Sequence, residues 1–187
     1  MQKGEAIRKK IIETADALFY QQGFVQTSFT DISDALNMSK GNFYYYFKSK
    51  DEILKAVIDK RIEEIREDLA QWDAAESEPR MRLKKYIAML TDAQDHIEKY
   101  GCPIGTICTE LSKMHHANLD NASELMEVYR VWLEKQFVLL GYKKEARMLS
   151  LQMLSRGQGI ASITNAYSDK SFLQYEANEI INWIDSL

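Results

Sequence analysis

The stretch from Thr27 to Leu54 constrains the fold most, because it holds the start and stop signals of three helices in close succession. Ser28 with Asp31 three residues later is a capping-box pattern, which predicts a helix from about Phe29. Apolar residues then recur at the i, i+3, i+4 spacing of one buried helix face, at Ile32, Ala35 and Leu36.

A second short helix is predicted from Lys40 to about Phe47. Asn37 tolerates the left-handed backbone of a tight helix exit, and Ser39 can cap the helix that follows. Ser49 and Glu52 repeat the capping-box pattern and open a long third helix. Because the joint between the first two helices is so short, they must cross steeply, as in a helix-turn-helix.

The second helix is rich in groups that can donate hydrogen bonds to DNA, whereas Phe43 and Phe47 are expected to point inward. Gly41 costs about 1 kcal/mol in a helix relative to alanine. Its place in the first turn therefore indicates close approach of a phosphate, which helix N-termini favour. The candidate DNA-contacting residues are Thr27, Ser28, Ser39, Lys40, Gly41, Asn42, Tyr44, Tyr45, Tyr46, Lys48 and Lys50.

The first sixty or so residues carry several short motifs in a fixed order: Leu18-Phe19, Gly23 followed by an aromatic residue, Thr27-Ser28, Asp31-Ile32 and the run SKGNFYYYFKSKDEIL from Ser39. With these motifs the segment resembles the DNA-binding domain of the tetracycline-repressor (TetR) family of bacterial transcriptional regulators. Tyr46 departs from the family pattern, since many members carry histidine there. The resemblance implies a homodimer that binds palindromic double-stranded operator DNA, most often as a repressor, and releases it when a small-molecule effector binds.

The net charge of −4 and the pI near 5.5 would by themselves argue against a nucleic-acid binder. The distribution of charge along the chain removes this objection, because the acidic excess lies beyond Asp51. The basic residues that precede Asp51 can therefore gather on one face of a small domain. Those basic residues are Lys3, Arg8, Lys9, Lys10, Lys40, Lys48 and Lys50.

Helical periodicity continues through the rest of the chain, where only two prolines, at 79 and 103, interrupt it. We predict an all-α fold of about nine helices. A DNA-binding domain is predicted over residues 1–50, with the helix-turn-helix at about 28–47, and an effector-binding and dimerisation domain over 51–187. With 45% hydrophobic residues, no apolar run of membrane length and no secretory signal, we expect a folded cytoplasmic protein with no membrane partner.

The remaining predicted helices cover about residues 5–22, 50–72, 79–100, 103–115, 119–140, 143–167 and 172–186. In the TetR family the larger domain holds the effector between its helices, and the last two helices pair across a two-fold axis. Aromatic and methionine stripes also suit an ordinary helix-bundle core. The candidate pocket residues are Trp72, Tyr86, Met89, Leu90, Cys102, Ile107, Met126, Tyr129, Trp132 and Phe137, and the candidate dimer-interface residues are Leu149, Met153, Gly157, Ile160, Ala161 and Trp183.

The segment from Gly101 to Gly105 resembles a GCxxG turn found in a subset of the family. Pro103 suits a first helical position, so Cys102 would lie at a helix amino end, where the dipole favours a thiolate. Cys102 is then either a sensor of oxidants or electrophiles or a small buried residue in a tight turn. Cys108 is poorly placed for a disulfide with it.

The leading hypothesis is a homodimeric, effector-responsive transcriptional regulator that is not an enzyme and needs no cofactor or metal. A helical ligand- or partner-binding protein that no longer reads DNA is the alternative, beside a regulator switched through Cys102. An enzyme that uses Cys102 as its nucleophile is a third and weaker hypothesis, because no histidine stands at a motif spacing from Cys102. His96, His115 and His116 show no recognised metal-ligand spacing.

Overall fold

The computed structural model describes residues 2–187, with the side chains of Gln2 and Lys3 left out, so Lys3 of the basic group lies outside the described side chains. Within this range the chain forms ten α-helices. These are α1 (Gln2–Gln22), α2 (Phe29–Ala35), α3 (Lys40–Tyr46), α4 (Lys50–Ala75), α5 (Pro79–Asp92), α6 (Gln94–Tyr100), α7 (Pro103–Lys113), α8 (Leu119–Leu139), α9 (Ala146–Tyr167) and α10 (Lys170–Ser186).

The all-α prediction is confirmed, and one predicted helix is divided in two. The continuous helix predicted over 79–100 breaks at Ala93, where the backbone has φ −89° and ψ 7°. The N–H of Ala93 still donates to the Met89 carbonyl at 3.2 Å, so α6 follows α5 directly. No glycine or proline marks this break, and periodicity alone therefore did not find it.

The predicted caps of the two short helices are present. The Ser28 hydroxyl accepts from the Asp31 N–H at 3.1 Å, and the Asp31 carboxylate accepts from the Ser28 N–H at 2.7 Å. That backbone hydrogen bond from Ser28 holds the pKa of Asp31 below its usual value. Asn37 has φ +50°, the left-handed exit that the sequence predicted. Ala35 is exposed, contrary to prediction, and the buried residues of α2 are Ile32 and Ser33.

The described chain forms two compact units, and the first comprises residues up to Glu63 together with Thr106–Glu124. This grouping differs from the predicted boundary at residue 50, because the first half of α4 and most of α7 belong with the amino-terminal helices. Asp16 on α1 lies 2.6 Å from Arg61 and 3.0 Å from Lys60 on α4. The buried apolar core includes Ile11, Ala15, Phe19, Ile32, Phe43, Phe47, Ile53, Leu54, Val57, Ile58 and Leu111.

The second unit comprises Glu64–Gly105 and Leu125–Leu187. In it α10 packs on α5 and α9, and α6 packs on α9. The Tyr142 hydroxyl donates to the Leu187 carbonyl at 2.7 Å and fastens the end of α10. The buried residues of the second unit include Leu83, Ile87, Leu133, Phe137, Met153, Ile160, Leu173 and Ile180. Over the described residues, no helix is both long enough and apolar enough to cross a membrane.

The contribution of the Asp16 ion pair to stability can be measured. Asp16→Ala removes the carboxylate from Arg61, whose side chain is only 10% exposed, and should lower the free energy of unfolding by about 3 kcal/mol. Asp59→Ala is the control, because its pair with Lys55 is more than half exposed and should be worth less than about 1 kcal/mol. Equal shifts of the two urea-unfolding curves would contradict this ranking.

Candidate nucleic-acid interface

Helix α3 has one buried face and one exposed face. Phe43 is fully buried and Phe47 is 2% exposed, so both point inward as their four-residue spacing predicted. The Phe29 ring of α2 packs edge-on against Phe43 at 4.7 Å and stacks on Tyr44 at 4.9 Å. These contacts hold α2 and α3 together and leave Tyr44 at 49% and Tyr45 at 75% exposure.

The amino end of α3 is capped and exposed to solvent. The Ser39 hydroxyl accepts from the Asn42 N–H at 3.4 Å, which confirms the predicted cap. Lys40, Gly41 and Asn42 are exposed, and a Cβ built on Gly41 would meet no atom within 4 Å. The packing of this chain therefore does not require glycine at position 41, and its backbone is accessible from outside.

Thr27, one of the candidate DNA-contacting residues, is not exposed. It is fully buried, and its hydroxyl donates to the Gly23 carbonyl at 2.7 Å, so it stabilises the turn before α2. Ser28, beside it, is exposed. Lys48 is also exposed, although its ammonium donates to the Tyr44 carbonyl. Among the amino-terminal basic residues, Arg8 lies 4.8 Å from the Phe47 ring.

Lys50, a candidate phosphate contact, also has partners within its own chain. Its ammonium donates to the carbonyls of Phe24 at 2.8 Å and Thr27 at 3.0 Å, and lies 3.4 Å from that of Val25. It also lies 4.3 Å from the centre of the Phe24 ring. A lysine has three N–H donors, so these acceptors can occupy all of them. Lys50 therefore fixes the segment between α1 and α2.

Residues 23–27 form the α1–α2 loop. No sequence pattern indicated the main partner of this loop, which is Glu110. Both carboxylate oxygens of Glu110 on α7 accept backbone N–H groups from the loop, those of Phe24 and Val25, each at 2.8 Å. Glu110 lies 86 positions beyond Phe24 in the chain, so no local pattern could have indicated the contact.

Some of the candidate pocket residues lie together in the second unit. The rings of Tyr86 and Tyr129 are 5.5 Å apart, and the Tyr129 hydroxyl donates to the Met89 sulfur at 3.3 Å. Burial raises the pKa of both tyrosines, so they are neutral hydrogen-bond donors at physiological pH. The Cys102 sulfur accepts from the Gly105 N–H at 3.3 Å and the Gln158 amide at 3.4 Å.

The other candidate pocket residues are divided among different environments. Trp72 and Met89 line an open depression of about 470 Å³, and Phe137 is fully buried in the core. Trp132 packs edge-on against Trp72 at 5.6 Å. Leu90 and Met126 belong to the second unit, whereas Ile107 is buried in the first. Nine of the ten candidates thus belong to the second unit and Ile107 to the first.

The structure places four of the six predicted dimer-interface residues inside their own chain. A Cβ on Gly157 would lie 3.2 Å from the Tyr86 hydroxyl and 3.6 Å from Leu90, so Gly157 faces the core of its own chain. Met153, Ile160 and Ala161 are at most 4% exposed, so they cannot contact a partner in this conformation. Leu149 and Trp183 are half-buried, and Trp183 packs on Phe137 at 6.0 Å.

The opposite face of α9 is exposed instead. A Cβ on Gly159 would meet no atom within 4 Å, although the residue itself is half-buried. A row of exposed side chains lies before and after it at helical spacing: Met148, Gln152 and Ser155, then the adjacent pairs Ser162-Ile163 and Ala166-Tyr167. We call this row, with Gly159, the outer α9 face.

Comparisons with known proteins agree with this geometry. The family model described as bacterial regulatory proteins, tetR family, matches residues 11–57. A transcriptional regulator encoded in the lacX 3′ region of Lactococcus lactis subsp. lactis is 36% identical over 111 residues, which cover 57% of this chain and 56% of the relative. The repressor DhaR of Mycobacterium sp. (strain GP1) is 25% identical over 129 residues, covering 68% and 62%. The chain thus spans less than two thirds of these relatives.

Solved structures extend the likeness over nearly the whole chain. A TetR transcriptional regulator from Legionella pneumophila superposes with a TM-score of 0.83 at 25% identity, covering 95% of this chain and 94% of that one. The reduced form of Escherichia coli NemR has the same fold, with a TM-score of 0.81 at 16% identity over 94% and 95% of the two chains. By this family model, residues 11–57 belong to the tetR family of bacterial regulatory proteins, and the fold of the whole chain is that of solved TetR regulators.

Proposed function

We propose that this protein is a DNA-binding transcriptional regulator that reads an operator with α3 and is not an enzyme. The observation that carries the proposal is the division of α3 into an inward face, Phe43 and Phe47, and an exposed face bearing Lys40, Tyr44 and Tyr45. Lysine and tyrosine side chains donate to phosphates and base edges, and an anchored helix can enter the major groove. Repression is the proposed sign, as in the relative DhaR.

A homodimer on a palindromic operator is the proposed assembly, in the cytoplasm where chromosomal DNA would be bound. The outer α9 face supports it, because small residues there allow two helices to approach closely and Met148, Ile163 and Tyr167 are exposed apolar side chains beside them. A two-fold dimer requires half-sites about one helical turn or more apart, at ~34 Å per turn.

The first experiment is a footprint of the full chain on the region upstream of its own gene. Protection with dyad symmetry supports a dimeric operator-binding protein. Absence of any retained fragment would favour the alternative, a helical ligand- or partner-binding protein that no longer reads DNA.

A reversible small-molecule effector is the proposed signal, and its proposed site is the group of Tyr86, Tyr129 and Met89. Two buried neutral phenols beside a thioether suit a largely apolar ligand that has a hydrogen-bond acceptor. A second candidate signal is an electrophile acting at Cys102, whose sulfur accepts hydrogen bonds from the Gly105 N–H and the Gln158 amide.

Lys40 and Lys50 should differ in their effect on DNA binding. Lys40→Ala should weaken operator binding. It should also reduce the salt slope, the slope of log K against log salt concentration, by the amount expected for the loss of about one phosphate contact. Lys50→Ala should weaken binding with the salt slope unchanged and lower the melting temperature, because Lys50 holds backbone carbonyls of the α1–α2 loop. Fluorescence anisotropy at several salt concentrations measures both slopes. A flatter slope for Lys50→Ala alone would restore the phosphate-contact interpretation.

The outer α9 face can be tested at Gly159. A Cβ at position 159 would meet no atom of another element within 4 Å, so Gly159→Trp should leave the monomer folded while a close helix crossing with the partner is blocked. Sedimentation should then show monomers, and operator binding should be lost. Ala74→Trp is the control, on an exposed position of α4. A Gly159→Trp protein that remains a dimer would exclude this interface.

The two candidate signals can be separated at Cys102. If a reversible ligand is the signal, Cys102→Ser should bind the operator and keep its response to that ligand, because the ligand acts through its differential affinity for two conformations. If an electrophile such as N-ethylmaleimide releases wild type from DNA and Cys102→Ser ignores it, the thiol is the sensor. Cys108→Ser is the control, since the Cys108 thiol donates to the Ala122 carbonyl at 3.3 Å.

A further inference from the structure

The α1–α2 loop is held on both sides of its backbone by side chains that are distant in sequence. On one side, the Glu110 carboxylate accepts the N–H groups of Phe24 and Val25, each at 2.8 Å. On the other side, the Lys50 ammonium donates to the carbonyls of Phe24 and Thr27, at 2.8 and 3.0 Å. The donors of the loop thus face an anion and its acceptors face a cation, and all five residues belong to the first unit.

The surroundings leave the loop little freedom to move away from Glu110. Gly23 has φ +89°, and a Cβ there would lie 3.2 Å from a Glu110 carboxylate oxygen. The Phe24 ring is 2% exposed and packs edge-on against Phe19 at 5.2 Å and His116 at 5.4 Å. A side chain at position 23 would be strained by this backbone conformation and would crowd the carboxylate.

The position of the loop determines the position of the proposed DNA-reading helices. The loop ends at Thr27, and the next residue, Ser28, is the N-cap of α2. Helix α2 in turn carries Phe29, which packs on Phe43 and Tyr44 of α3. A shift of the loop would therefore move the start of α2 and, through Phe29, the exposed face of α3.

We propose that Glu110 is a positioning residue for operator binding, which holds the α1–α2 loop so that α2 and α3 face the DNA together. This inference rests on the proposed function as a DNA-binding regulator. Glu110 need not touch DNA, because it acts through the N–H groups of Phe24 and Val25.

Electrostatics alone predicts the opposite effect of a mutation at this site. DNA is a polyanion, so neutralising a carboxylate in the DNA-binding unit should strengthen binding. In the positioning role, Glu110→Gln should weaken binding, because a glutamine has one acceptor oxygen and turns an N–H donor towards the second loop N–H. The direction of the change therefore separates a positioning role from a charge effect.

The experiment compares three full-length proteins, wild type, Glu110→Gln and Glu63→Gln, on a fragment retained by wild type from the region upstream of its gene. Glu63 is exposed on α4 in the same unit and serves as the charge-matched control. Anisotropy is measured at several salt concentrations, below the melting temperature of each protein. Glu110→Gln should bind at least about tenfold more weakly, while Glu63→Gln binds as wild type or slightly more tightly. Unchanged or tighter binding by Glu110→Gln overturns the inference.

A second measurement needs no variant and covers the case in which Glu110→Gln does not fold. Hydrogen exchange of the wild-type protein bound to the operator fragment should show slow exchange at the amides of Phe24 and Val25. Exchange there at the rate of exposed amides would mean that Glu110 does not hold the loop on DNA, and would overturn the inference. Wild-type protein that binds no upstream fragment would instead contradict the proposed function itself.

Discussion

The burial of Phe43 and Phe47 is the interaction on which the proposed DNA interface depends. Helix α3 has seven residues, and a helix shorter than about 12 residues is marginal in water without tertiary packing. Its middle carries three consecutive tyrosines, residues that favour strands as much as helices. The two buried phenylalanine rings, with Phe29 against the first, stabilise the helix and orient its exposed face at the same time.

The α1–α2 loop shows how the first unit satisfies backbone groups where no regular structure does so. Buried N–H and C=O groups must find partners, and here Glu110, Lys50 and the Thr27 hydroxyl provide them. Lys50 was expected to meet DNA because it is basic and close to α3 in sequence. Its three carbonyl contacts connect it to the α1–α2 loop, a partner that its position beside a DNA-reading motif did not indicate.

Gly157 and Gly159 show that sequence position does not identify the partner of a residue in helix packing either. Two glycines so close in sequence suggest one surface for a close crossing, yet they point to different sides of α9. Gly157 makes room for the Tyr86 hydroxyl of its own chain, whereas a Cβ on Gly159 would meet nothing within 4 Å. A small residue indicates a close approach, and only the arrangement of α5 against α9 decides which neighbour approaches.

The sequence by itself determined the local elements of this protein: the caps at Ser28 and Ser39, the left-handed exit at Asn37, the inward face of α3 and the all-α fold. These depend on residues within a few positions of one another, where helix geometry makes spacing informative. The tertiary structure decided the partners of Lys50 and Glu110, the grouping of Thr106–Glu124 with the amino-terminal helices and the direction of Gly157. Those contacts join residues tens of positions apart, and no periodicity along the chain encodes which distant side chain completes a loop or a core.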